Sequence, residues 1–125
     1  MISRMDDLQM NPTPNSSNEN NLNISSSLKS SLPNKFALHQ NYPNPFNPTT
    51  QIKYDLPYDA LVTIFICDLM RRSIKSLINI NQPAGYRSVR WDSTNNYGEA
   101  VSAGMYIYVI QAGEFRSTKK MVLLK

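Results

Sequence analysis

An all-β fold, an antiparallel sandwich of about seven short strands, is what this sequence predicts, and three observations carry the prediction. Beyond residue 35 the apolar residues fall in runs of β-branched and aromatic side chains, several with strict two-residue alternation. Pro, Gly, Asn and Asp clusters punctuate those runs at near-regular spacing. No stretch there carries a helical apolar period, and residues 36–125 have the size of one small sandwich domain.

Residues 1–35 read differently. They contain no aromatic residue and are rich in Ser and Asn, as in Asn15 to Asn21 and Ser25 to Ser27. Such a segment buries too little apolar area to offset its ordering entropy, so a disordered polar linker is expected over 1–35 and a folded domain over 36–125. Leu22, Ile24, Leu28 and Leu32 offer a short amphipathic alternative that the intervening Ser and Asn oppose.

Between linker and domain stands a gate, residues 40–50, with Pro43, Pro45 and Pro48. Three prolines remove three backbone donors and favour extended neighbours, which excludes both helix and central strand. The gate is therefore expected as an edge segment seated on the sandwich by Tyr42 and Phe46. The strand over 50–56 follows, with Ile52, Tyr54 and Leu56 on one face and Gln51, Lys53 and Asp55 on the other. Residues 61–68 form a nearly continuous apolar run and predict a central strand, buried on both sides for part of its length. The less regular run 72–80 predicts an edge strand, and Pro83 and Gly85 a turn. A strand over 86–91 ends in the sole tryptophan, Trp91, the expected core anchor. After a long loop with Asp92, Gly98 and Gly104, a strand over 105–112 places Tyr106, Tyr108 and Ile110 opposite Met105, Ile107 and Val109. Gly113 and Glu114 turn it into a final strand over 115–124.

Composition excludes several chemistries. The net charge is +4, and the whole excess lies in residues 36–125, spread along predicted strands rather than clustered, so no nucleic-acid footprint is expected. The one cysteine, Cys67, sits in an apolar run as a small buried hydrophobe. No apolar run reaches membrane-spanning length, so no membrane insertion is expected, and Asp6 and Asp7 stand where a secretory signal needs an apolar core. His39 is the only histidine and has no nearby nucleophile, leaving hydrolytic triads without a base. The loop from Asp92 fails the calcium pattern, with Tyr97 where Gly is needed and Ala103 where the bidentate Glu belongs. Neither a catalytic residue, a metal nor a cofactor is expected. Tyr106 and Tyr108, two apart on one strand face near Trp91, leave open an adhesion or carbohydrate-binding module, which requires those rings to be exposed.

From Leu38 to Lys125 the chain resembles the type A C-terminal sorting domain of the type IX (Por) secretion system, itself similar to the immunoglobulin-like domain of the flagellar hook-capping protein. The resemblance rests on Gln40 to Thr50, on Ile52 to Pro57, on Asp68 and Arg72, on Pro83 to Gly85, on Trp91 and Asp92, on Gly98, on Ala103 to Tyr106, on Gln111 to Gly113, and on Lys119 to Lys125. Tyr42, Pro43, Pro45, Phe46, Pro48, Trp91, Asp92, Gly98 and Gly104 are its structural landmarks. It implies an immunoglobulin-like sandwich that directs an attached cargo from the periplasm across the outer membrane to the cell surface of Bacteroidetes-type bacteria. The implied partners are an outer-membrane translocon and a sorting-domain protease. On this reading the domain is a substrate, not an enzyme, and translocon recognition falls to Lys119, Lys120, Val122, Leu123 and Lys125, read by edge pairing and charge. With no cargo domain and no signal peptide visible, the chain is expected to be a fragment or a truncated product. Two positions depart from the family pattern. Arg71 stands where Gly is usual and predicts a turn without positive φ, and Ser93 and Asn95 replace the loop's usual opening Gly and later acid.

Overall fold

Tyr54 marks the inner face from which the sandwich is built. In the computed structural model, which describes residues 31–125, strand β2 (Thr50–Leu56) buries Thr50, Ile52, Tyr54 and Leu56 and exposes or half-exposes the residues between them. The unit from Pro33 to Lys125 is compact and is described by itself. The linker expected over 1–35, including the amphipathic alternative at Leu22, Ile24 and Leu28, falls mostly outside the described residues.

Among the described residues seven strands form two antiparallel sheets. The smaller sheet has the order β1 (Ala37–Leu38), β2, β5 (Gly85–Trp91). The larger has the order β4 (Ser73–Gln82), β3 (Ala60–Asp68), β6 (Gly104–Ala112), β7 (Phe115–Leu123). The central and edge positions expected for β3 and β4 are those observed. Val62, Ile64 and Ile66 of β3 lie beside Tyr106, Tyr108 and Ile110 of the neighbouring β6 on the inner face of this sheet, in the main core with Trp91, Phe46, Met121 and Leu123. On the outer face of the same sheet Cys67, Ile107, Val109 and the half-buried Phe65 make a second, smaller cluster. The near-continuous apolar runs of β3 and β6 serve both clusters, which is why they do not alternate with polar residues. Phe36 fastens the start of the domain, stacked on Phe115 at 5.2 Å and edge-on to Tyr58 at 5.1 Å.

The β3–β4 turn corrects one expectation. Arg71 adopts φ 68, the left-handed conformation a glycine would take, so the turn keeps a positive φ without Gly. Asp68 enforces it. Its Oδ1 accepts from the N–H groups of Met70 and Arg72, both at 2.9 Å, and its Oδ2 accepts from Arg72 Nε at 2.8 Å. Those bonds, with the Arg72 N–H first, hold the Asp68 carboxyl below the usual carboxylate range. A left-handed side chain costs about 1–2 kcal/mol, part of which glycine returns as unfolded-chain entropy. Arg71→Gly is therefore expected to stabilise the domain by ~0.5–1 kcal/mol in urea unfolding, and an unchanged or lower midpoint contradicts the assignment of strain.

Candidate recognition surface

The gate and the last strand, far apart in sequence, close on each other. Phe46 lies in a parallel bridge with Leu123: its N–H donates to the Val122 carbonyl at 3.0 Å, and its carbonyl accepts from Leu124 N–H at 2.8 Å. Val122 N–H donates to Asn44 Oδ1 at 3.0 Å, and Gln40 Nε2 donates to the Lys120 carbonyl at 2.8 Å. The Phe46 ring, 2% exposed, packs 5.8 Å from Trp91, which in turn meets Tyr106 edge-on at 5.4 Å.

The prolines create a hydrogen-bond deficit that side chains fill. With the three proline donors missing, Pro43 offers its carbonyl to Asn41 Nδ2 at 3.1 Å and to Thr50 Oγ1 at 2.8 Å, and Asn41 Nδ2 also reaches Thr50 Oγ1 at 3.0 Å. The Pro48 carbonyl accepts from Ser93 Oγ, a residue buried at φ 68, a conformation that favours glycine. Asn41 N–H donates to Tyr108 Oη at 2.8 Å, and Tyr108 Oη donates to the His39 carbonyl at 2.7 Å. Asn41, Asn44, Thr50 and Gln40 form the latch that sequence reading passed over. A stretch rich in prolines leaves carbonyls needing donors, and the asparagines beside them were the available sign.

One landmark points the other way. Tyr42 is 81% exposed, not seated on the sandwich. Its backbone pairs both ways with Gln51, at 2.9 and 3.0 Å, and that pairing turns Tyr42 outward and Asn41, 2% exposed, inward. Phe46 alone anchors the gate aromatically. Pro43, Pro45 and Pro48 lie at or near the surface, while Trp91 occupies the core as expected. Asp92 Oδ1 caps the loop, accepting from Thr94 Oγ1 at 2.6 Å and Thr94 N–H at 3.2 Å, and the Thr94 hydroxyl is the first cause of its lowered pKa. Asn95 organises the turn that follows, its Oδ1 accepting from Tyr97 N–H at 2.9 Å and Glu99 N–H at 3.0 Å, with Gly98 at φ 81. Gly104 opens β6 at φ 145. Among the described residues no three His, Cys, Asp or Glu side chains cluster to hold a metal ion. His39 faces outward from the smaller sheet, 3.0 Å from Asp55.

The five residues expected to be recognised do not share a surface. Lys120 and Val122 alternate onto the outer face of the larger sheet, opposite Ile107 and Met105. Lys119 is half-buried opposite Tyr108, and Lys125 is exposed beyond the strand. Leu123 is 1% exposed and belongs to the core. The backbone of β7 from Lys120 to Leu124 is also engaged by the gate, so edge pairing there would require the gate to lift. Tyr106, Tyr108 and Trp91 are all buried, which removes the exposed aromatic platform that a carbohydrate-binding module needs on this strand.

Burial pushes the Tyr108 hydroxyl up to about 12, and burial also raises Tyr54 and Tyr106. Raised values mean the fold holds the protonated phenols. Their contribution is complete below the ordinary tyrosine value of about 10 and is lost as pH rises from there toward 12. Urea midpoints are expected to stay level up to pH 9.5 and then fall, and a level profile through pH 11.5 contradicts this.

Comparison with known proteins places the geometry. The family model described as the secretion system C-terminal sorting domain matches residues 40–124, which run from the gate to the end of β7. Among solved structures, dimeric latent PorU from Porphyromonas gingivalis is similar at TM-score 0.56 and 20% identity, over 72% of this chain and 9% of that one. PorZ, a surface component of the type IX secretion system of the same organism, is similar at TM-score 0.49 and 16% identity, over 78% of this chain and 12% of that one. The chain thus spans only a small part of either. No curated protein matches it.

Proposed function

The chain belongs to the secretion system C-terminal sorting domain family, and from that premise we propose that residues 36–125 are a non-enzymatic export tag, directing an attached cargo through the type IX secretion system to the cell surface. The observation that carries the reading is the closure of the gate on the last strand: the two ends of the family match, near residues 40 and 124, are one hydrogen-bonded unit. Such a tag presents itself to a translocon as a finished domain, not as a loose terminal peptide.

The closure also supports a reading of the recognition chemistry. With the β7 backbone held by the gate, the outer-membrane translocon reads side chains, and the exposed cations Lys120 and Lys125, with the half-buried Lys119 and Val122, are the ones available. Leu123 serves by keeping the strand in place. Residues 1–35, polar and without an aromatic side chain in sequence, are the segment within which a sorting protease cuts the tag from its cargo. A reporter bearing a signal peptide and followed by residues 36–125 tests this in a bacterium with the secretion system. Surface or extracellular reporter is the expected result, and reporter retained in the periplasm overturns the proposal.

A further inference from the structure

Four strands terminate the two sheets, and three of them are short or engaged over part of their length. β7 is held by the gate, and β1 is two residues long. The first half of β4 is capped by the loop, where Asn96 N–H donates to the Ile74 carbonyl at 3.1 Å and Ser76 N–H donates to Asn96 Oδ1 at 3.0 Å. β5 is different. The bonds of Gln51 with Tyr42, and of the Lys53 carbonyl with His39, turn the odd-numbered residues of β2 toward β1. The even-numbered ones therefore pair with Gly85, Arg87, Val89 and Trp91, and the N–H and C=O groups of Tyr86, Ser88 and Arg90 face outward. Among the described residues these groups have no hydrogen-bond partner.

The missing neighbour leaves a second mark on the opposite sheet. Ile80 stands across from Val62 and shares its inward face, yet it is 55% exposed. A three-stranded sheet laid on a four-stranded one does not reach it. Between β4 and β5 runs a cleft lined by Lys75, Ser76, Leu77, Arg90, Trp91 and Asp92. Two cations, Lys75 and Arg90, line the cleft against one carboxylate, Asp92, and with Lys75 bonded to the Asn95 carbonyl at 3.3 Å the exposed Arg90 is the cation left free of a side-chain partner among the described residues. Arg87 adds a further cation from the β5 edge, where its guanidinium bonds the Pro83 carbonyl at 3.1 Å.

We propose that β5 is a docking edge for an extended segment of a partner protein in which acidic residues alternate with apolar ones. The segment adds as a fourth strand to the smaller sheet. Its backbone takes up the groups of Tyr86, Ser88 and Arg90, its apolar side chains cover Leu77 and Ile80, and its acidic side chains lie on the outer face beside Arg90. A bare edge is ordinarily guarded by inward charge or a proline; β5 has no proline, and its one inward charge, Arg87, is tied down by the Pro83 and Ala84 carbonyls. This inference is independent of the sorting role and is tested in solution on the full chain, so its failure leaves that role intact.

The probe is a seven-residue peptide alternating valine and glutamate, compared with one alternating valine and lysine. Amide exchange and fluorescence anisotropy are the readouts. The glutamate peptide is expected to bind and to protect the amides of Tyr86, Ser88 and Arg90. Ser88→Pro removes one outward donor without touching the ladder to β2, and binding is expected to weaken about tenfold. Arg90→Glu is expected to reverse the preference toward the lysine peptide, and it serves if the proline variant does not fold. Absence of protection at these three amides with either peptide overturns the proposal, as does their protection in the chain alone through pairing of two copies.

Discussion

Phe46→Ala is expected to cost about 3–5 kcal/mol in urea unfolding, the range for a fully buried phenylalanine. The magnitude follows from position. The ring fills the space against Trp91, and the backbone of the same residue binds both Val122 and Leu124. Loss of the ring leaves a cavity at the seam of gate and last strand and releases the hydrogen bonds that depend on the gate's seating. Against a typical domain stability of roughly 5–15 kcal/mol, this removes a large share of the fold. Protease cleavage within residues 40–48 is expected to accelerate at the same time. A loss under about 1 kcal/mol, with cleavage unchanged, means that the gate is not part of the cooperative unit.

Leu123→Ala is expected to cost about 2–5 kcal/mol, although the sequence placed Leu123 among residues read by a partner. Its side chain is enclosed by the core and its backbone lies opposite Phe46. The double variant with Phe46→Ala is expected to be non-additive by about 0.5–3 kcal/mol, because both substitutions open one seam. Replacing Lys120 or Lys125 by Ser, by contrast, is expected to leave stability within about 0.5 kcal/mol, as both side chains are exposed. Truncation of residues 121–125 removes Met121 and Leu123 from the core and therefore confounds folding with recognition. Charge substitution separates the two, and a Leu123→Ala variant of wild-type stability contradicts the structural role given to that residue.

The strands were legible wherever a single physical pattern decided them. β2 reads correctly residue by residue because one face is buried and the other wet, and β3 reads as central because its two faces serve two apolar clusters. Trp91 could be placed by size alone. What escaped depends on partners distant in sequence. Tyr42 is the larger and more apolar neighbour of Asn41, yet Asn41 is buried because Tyr108 supplies its N–H with an acceptor from another sheet. Lys119 and Lys120 are alike in sequence, and only the pairing register with β6 sends one inward and the other outward. Arg71 enters the left-handed region because the Asp68 carboxylate holds the turn around it, a local bond network strong enough to override the residue's preference. The parallel contact of the gate with β7 has no sequence signature, since an isolated bridge lacks the repeating pattern of a strand pair.

Native-state amide exchange is the most direct test that gate and last strand form one unit. The N–H groups of Phe46 and Leu124 bond across the seam, and that of Val122 is held by Asn44. If the two motifs open together, these three amides exchange with the same free energy as those of Ile64 in the central strand, by global unfolding. If Phe46 exchanges through a cheap local opening while the β7 ladder stays protected, the gate is an appendage and the unity of the sorting domain is refuted.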